Sequence, residues 1–155
     1  MSLMKVLLLA ALLAALVLEG PALAKRCRKK GTKARIGGGG SVSVAKCIAA
    51  MCKVESGCRP LKCRNDRGSL SCGYMQLKKP FWKDCGKPMG SWKKCSLNLA
   101  CSKKCTKKYY KRYGKNCPQG MGACECLART HNGGPCGSWY KGTLTHYWRK
   151  VKKAL

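Results

Sequence analysis

The sequence predicts a small disulfide-rich domain, mostly helical with a short β-hairpin, and three observations carry that expectation. Its 155 residues match one compact unit, which excludes a multi-domain enzyme. Fourteen cysteines stand beside a single Phe and 7% aromatics, so the apolar core is thin and cross-links must help hold the fold. Apolar residues recur at helical spacing in several segments, with one strand-like stretch among them.

Residues 1–24 read as a secretory signal peptide. Residues 1–5 give a positive start, residues 6–18 an apolar run, and Ala22-Leu23-Ala24 a small-x-small cleavage site. A membrane span needs about 20 apolar residues, and Glu19, Gly20 and Pro21 interrupt this run first. Cleavage after Ala24 keeps Cys27, Cys47, Cys52, Cys58, Cys63, Cys72, Cys85, Cys95, Cys101, Cys105, Cys117, Cys124, Cys126 and Cys136. An even count in a secreted chain reads as disulfides, whose pairing the spacing does not assign. The competing use is zinc at Cys124, Cys126, His131 and Cys136, but two spaced C-x-x-C pairs are missing and no metal is expected.

The chain carries 33 Lys+Arg against 5 Asp+Glu, a formal net charge of +28. Without the signal, Glu55, Asp66, Asp84 and Glu125 are its only acids. Such a surface seeks polyanions. Outside the cell these are anionic bacterial walls, anionic lipids and glycosaminoglycans, so no specific nucleic-acid partner is expected. The expected state is a monomer or weak dimer.

Residues 25–42 form a basic arm that leads into the linker Gly37-Gly38-Gly39-Gly40. A domain over 43–155 follows. Ser43 caps a helix on which Val44, Ile48, Met51 and Glu55 share one face. A carboxyl on an apolar face is costly to ionise, and the negative end of the helix disfavours the charge further, so both effects favour a proton on Glu55. Asn65-Asp66-Arg67-Gly68 reads as a tight turn and residues 69–77 as a short strand or hairpin, with Asp66 at its mouth. A protonated carboxyl beside an ionised one is the pairing that cleaves glycosidic bonds. Cys95, Cys101 and Cys105 punctuate a helical region that runs on through residues 107–113. Residues 125–129 read as a short helix, followed by a loop over residues 131–135 because Asn132-Gly133 is a turn signal. The last segment is a basic amphipathic helix with Leu144, Tyr147, Trp148, Val151 and Leu155 on one side, docked on the core or laid on a membrane.

Several separated strings occur in one order: CKVESGC at 52–58, GSLSCGYMQLK at 68–78, WKDCG at 82–86, YYKRY at 109–113 and ARTHNGGP at 128–135. Together they resemble the invertebrate-type lysozyme family, which includes the leech destabilases, from about Cys47 to Trp148. The resemblance implies an α+β lysozyme-like fold and a secreted antibacterial enzyme without a cofactor. It would hydrolyse the β-1,4 bond between N-acetylmuramic acid and N-acetylglucosamine in bacterial peptidoglycan. By that pattern Glu55 is the general acid and Asp66 the nucleophile or electrostatic stabiliser of a retaining reaction, with carboxyl groups about 5 Å apart. Tyr74, Gln76, Lys78, Tyr109, His131, Asn132 and Gly133 match positions that line the sugar groove.

Destabilases add cleavage of ε-(γ-Glu)-Lys isopeptide bonds, and the matching positions are Ser69, Ser71, Lys78 and His131. A serine nucleophile needs its base within hydrogen-bond reach. The alternative from another class is a cationic membrane-active antimicrobial protein that works through the arm and the terminal helix. The chain also departs from the family: Ala50 replaces a customary cysteine, Cys126 and Cys27 are additional, and Cys136 is shifted beside Pro135. An altered disulfide map is therefore expected.

Overall fold

The computed structural model describes Cys27 and residues 42–118, 120–139 and 143–155. The expected signal peptide, and the basic arm apart from Cys27 and Val42, lie outside the described residues.

Helix α1 spans Val44–Ser56, and Ser43 caps it by accepting the Lys46 N–H at 3.2 Å. Its inner face buries Ile48, Ala50, Met51 and two cysteines. Three short strands follow, β1 Arg64–Asp66, β2 Ser69–Cys72 and β3 Leu77–Lys78, in antiparallel order β1-β2-β3. The first turn is two residues long. Arg67 and Gly68 both take positive φ, 53° and 77°, as a tight hairpin turn of inverted hand requires, and Asp66 faces Ser69 in the register. The sheet therefore begins one strand earlier than the sequence suggested, and Asn65 and Asp66 belong to β1 rather than to the turn. Gly73 must be glycine: its φ is 71°, and a Cβ there would sit 1.8 Å from the Ser96 carbonyl oxygen.

Helices α2 Lys79–Asp84, α3 Trp92–Ser96 and α4 Leu99–Tyr113 come next. The helical region around Cys95 is thus two helices. Asn98 caps α4 by accepting the Cys101 N–H at 2.8 Å, and a Cys95–Cys101 disulfide spans the break. Helix α5 covers Ala123–Gly133 and α6 covers Thr143–Lys153. The expected loop at residues 131–135 is corrected here: His131, Asn132 and Gly133 form the last turn of α5, which Gly134 ends at φ 77°. Packing overrides the turn signal, because the His131 ring is tied to the sheet and Gly133 lies under the Leu144 side chain.

Helices α1, α4, α5 and α6 pack around Met51, Met75, Leu77, Leu127 and Val151, all fully buried. Burying each such side chain is worth about 1.5–3 kcal/mol. All fourteen cysteines are bridged: Cys27–Cys136, Cys47–Cys124, Cys52–Cys58, Cys63–Cys72, Cys85–Cys105, Cys95–Cys101 and Cys117–Cys126. The unusual cysteines are all used, Cys27 with Cys136 and Cys126 with Cys117, while Ala50 fills its position as a buried core residue. Because Cys124, Cys126 and Cys136 are committed to three separate disulfides, the zinc arrangement has no thiolates to offer. Leu144, Tyr147 and Val151 of α6 are buried in the domain, so the helix spends its apolar face on the core. Among the described residues, no helix is long and apolar enough to cross a membrane.

Candidate active site

Glu55 sits in the last turn of α1, and the turn is fixed from several directions. Gly57 adopts φ 64° and returns its N–H to the Lys53 carbonyl at 2.9 Å, the Cys58 N–H returns to the Cys52 carbonyl at 2.9 Å, and the Cys52–Cys58 disulfide closes the same loop. Buried Ser56 joins this end to the sheet. Its Oγ donates to the Tyr74 carbonyl at 2.8 Å and accepts the Arg59 N–H at 3.1 Å.

The Glu55 side chain is 14% exposed and meets His131, 5% exposed, with Nε2 3.2 Å from Oε1. The same Nε2 is 3.1 Å from the Met75 carbonyl oxygen. A carbonyl oxygen can only accept, so Nε2 carries the hydrogen and shares it between the two oxygens. Among the described residues, buried Nδ1 has no hydrogen-bond partner. Phe81 meets the imidazole edge-on at 5.0 Å between centroids, and Tyr147 stacks at 6.4 Å. Among the described residues the Tyr147 hydroxyl has no hydrogen-bond partner, and it lies near enough to Glu55 to feel its charge. Burial, and then the Glu55 charge, push this phenol well above its ordinary range.

Asp66 comes from the opposite side, at the end of β1. The hairpin fixes it locally, since the Gly68 N–H donates to Asn65 Oδ1 at 3.0 Å and Ser69 Oγ donates to the Asp66 carbonyl at 3.2 Å. Lys78 on β3 reaches across, placing Nζ 2.9 Å from Asp66 Oδ2 and 3.0 Å from its backbone oxygen. The Asp66 side chain is 49% exposed, unlike Glu55.

Both carboxyl groups line one cavity of about 780 Å³. Gln76, Lys78, Tyr109, His131 and Asn132 line it too. Tyr74 and Gly133 do not. The Tyr74 backbone binds Ser56 and Ser96, and Gly133 faces Leu144, so both serve packing behind the wall. Tyr109 is stacked on Phe81, with centroids 3.7 Å apart and planes 14° from parallel. Burial first, then Tyr113 and Asp84, push the Tyr109 phenol far above its usual range against the opposing pull of Arg112. The sequence reading missed Arg64, Asn65, Arg67, Phe81 and Asp84 on the wall. Two signals were available: Arg64 and Arg67 flank Asp66, and Phe81 is the only phenylalanine.

The serines are placed differently from the isopeptidase expectation. Ser71 is paired with Lys78 in the sheet and lines the cavity, but its Oγ donates to Gln76 Oε1 at 3.2 Å. Ser69 lies outside the wall and donates to Asp66. Lys78 is engaged by Asp66, and the hydrogen on His131 Nε2 goes to Glu55 and Met75. Neither hydroxyl is hydrogen-bonded to a base, as a serine nucleophile requires.

Comparison with known proteins converges on one family. The Destabilase family model matches residues 44–154. An invertebrate-type lysozyme of Ruditapes philippinarum is 52% identical over 111 residues, which cover 70% of this chain and 79% of the relative. The crystal structure of Tapes japonica lysozyme superposes with a TM-score of 0.64 at 47% identity, covering 73% of this chain and 93% of that one. Meretrix lusoria lysozyme in complex with Aeromonas hydrophila PliI gives 0.65 at 47% identity, covering 76% and 93%. The matched region contains α1, the sheet and α5, the elements that carry Glu55, Asp66 and His131, and the chain belongs to the Destabilase family.

Proposed function

We propose that the chain is a secreted antibacterial lysozyme that hydrolyses the β-1,4 bond between N-acetylmuramic acid and N-acetylglucosamine in peptidoglycan. The observation that carries the reading is the pair Glu55 and Asp66, facing one cavity from a helix end and a hairpin, one shielded and one solvated. The names of the relatives support it. In this reading Glu55 Oε1 accepts from His131, and Oε2 holds the proton. That proton passes to the glycosidic oxygen as the C1–O bond breaks, and the leaving sugar departs as a neutral alcohol. Asp66 meets the positive charge that develops at C1 and bonds to it, giving a glycosyl ester. Glu55, now a carboxylate, takes a proton from water, whose oxygen attacks C1 and releases Asp66. The anomeric configuration is retained. Lys78 holds Asp66 in place, and the stacked, largely buried rings of Phe81 and Tyr109 give the cavity an apolar wall.

Secretion rests on the reading of residues 1–24 as a signal peptide, and the domain then begins at residue 43. The net charge of +28 concentrates the enzyme on anionic cell surfaces, and it acts as a monomer or weak dimer. The test is digestion of purified peptidoglycan with mass analysis of the products. Muropeptides that end in reducing N-acetylmuramic acid are expected. Intact glycan strands with freed peptides, or no soluble product, would overturn the reading.

A further inference from the structure

Helix α4 carries Lys103, Lys104, Lys107, Lys108, Lys111 and Arg112 and no acidic residue. Their spacing makes i,i+4 pairs of like charge at 103/107, 104/108, 107/111 and 108/112. Each pair disfavours the helix. Among the described residues the ion pairs join Lys78 to Asp66, Arg129 to Glu125 and His131 to Glu55, so none relieves α4. Burial raises the Tyr113 phenol, and the nearby acid, Asp84, lies close enough to raise it further through its charge. Asp84 accepts from Arg112 Nη1 at its backbone oxygen, 3.2 Å away, with no ion pair to α4 among the described residues. An ordinary solvated face intersperses both signs. This one does not.

The ladder is also rigid. Cys101, Ser102, Cys105, Thr106 and Tyr109 bury the opposite face, and disulfides tie Cys101 to Cys95 and Cys105 to Cys85. The second bridge brings the α2 end alongside, adding exposed Lys83 and Lys87, while Lys108 Nζ reaches to 3.9 Å from the Cβ position of Gly86. The helix that carries the charges is held in place by the fold and is not ordered again on binding, which leaves only the side-chain rotamers to be fixed.

We propose that this face of α4 is a docking surface for a linear polyanion with a phosphoryl charge on each repeat, read through its backbone charge. The basic run extends about 14 Å along the helix, at 1.5 Å per residue, so it meets several successive anionic groups of an extended polymer. Displacement of their counterions then drives binding. An anionic bilayer fits less well, since a surface helix needs an apolar face for the membrane and α4 buries that face in the core. Tyr109 lines the cavity from the opposite face of the same helix, so a wall polymer held on α4 keeps the enzyme at the wall without occupying the groove. The proposal deepens the wall-directed reading, but its test needs no glycan cleavage.

The test measures the affinity of the full oxidised chain for long-chain inorganic polyphosphate across a salt series. One variant combines Lys104→Gln, Lys107→Gln, Lys108→Gln and Lys111→Gln. Its control removes the same charge from the exposed face of α6 with Arg149→Gln, Lys150→Gln, Lys152→Gln and Lys153→Gln. The α4 variant should lose tenfold or more in affinity, with a logarithmic salt slope flatter by about 3, as loss of four contacts to a flexible polyanion implies. The control should change less than threefold. Equal losses in both, or none in either, would overturn the proposal. So would an α4 variant that loses binding to phosphatidylglycerol vesicles while keeping polyphosphate. If the fourfold variant does not fold, Lys104→Gln with Lys108→Gln should show about half the slope change.

Discussion

The two walls of the groove treat a carboxyl group in opposite ways. On the helical wall Glu55 is 14% exposed, backed by His131, Phe81 and Tyr147, and its turn is locked by Gly57, Ser56 and the Cys52–Cys58 bridge. On the hairpin wall Asp66 is 49% exposed, held by a two-residue turn and by the half-exposed Lys78. One chemical group thus meets two environments, and the environment divides the labour: the shielded carboxyl suits proton donation and the solvated one suits charge. The walls also differ in what holds them. Buried packing and the Cys52–Cys58 bridge fix the first, and turn geometry with the Cys63–Cys72 bridge at the base of the hairpin fixes the second.

The comparison predicts the largest effects at the two carboxyls. Glu55→Gln should lower peptidoglycan cleavage by about 10²- to 10⁴-fold, the usual loss with a general acid. Asp66→Asn should cost about 10²-fold or more, because the amide supplies neither the charge nor the nucleophile for the glycosyl ester. Both variants should keep their thermal midpoint within a few degrees, and unfolding of either would mean the carboxyl is structural. A step below, His131→Phe keeps the ring packing but removes the hydrogen bond to Glu55. Loss of a charge-assisted bond of about 1.5–3 kcal/mol predicts roughly a ten- to hundredfold fall in kcat with little change in KM. An unchanged kcat would remove His131 from the machinery.

Stability should separate the walls further. Ser56→Ala leaves the Tyr74 carbonyl unmet and should cost about 1–3 kcal/mol in denaturant unfolding. Lys78→Ala breaks an exposed pair and should cost under about 1 kcal/mol. The reverse order would contradict the division between a packed wall and a local one. Alkali should act on the helical wall, because Tyr109 and Tyr147 are protonated in the fold at a pH where the unfolded chain ionises them. The folded phenols titrate above the unfolded value, so their contribution is complete below about pH 10 and is lost as pH rises beyond it. Unfolding followed between pH 8 and pH 11 should show stability falling only at the upper end.

Much of the helical wall was legible in the sequence. The Ser43 cap and the periodicity of Val44, Ile48, Met51 and Glu55 are local signals, and each sits in the fold where local physics puts it. The α5 end was not, because Asn132-Gly133 signals a turn locally and only the contacts of His131 with the sheet and of Gly133 with Leu144 keep the helix going. Register was similarly hidden. Arg67-Gly68 marks a turn, but which residues flank it in strands depends on pairing, and that moved Asp66 from the turn into β1. The cavity wall drew on Phe81, Asp84 and Arg64, from three separated segments that only the folded chain brings together. Pairing of the fourteen cysteines is likewise a fact of three dimensions.

The division of labour is tested most directly by giving each carboxyl variant a substrate that needs no acid. A nitrophenyl group on an aryl glycoside of N-acetylglucosamine oligomers departs without protonation, so Glu55→Gln should regain most of its lost kcat/KM and release a burst of nitrophenol, with slow turnover afterwards because the base for the second step is gone, while Asp66→Asn should stay as impaired in kcat/KM as on peptidoglycan. Equal impairment of both variants on the activated substrate, or recovery by Asp66→Asn alone, would contradict the assignment of Glu55 as the acid and Asp66 as its partner.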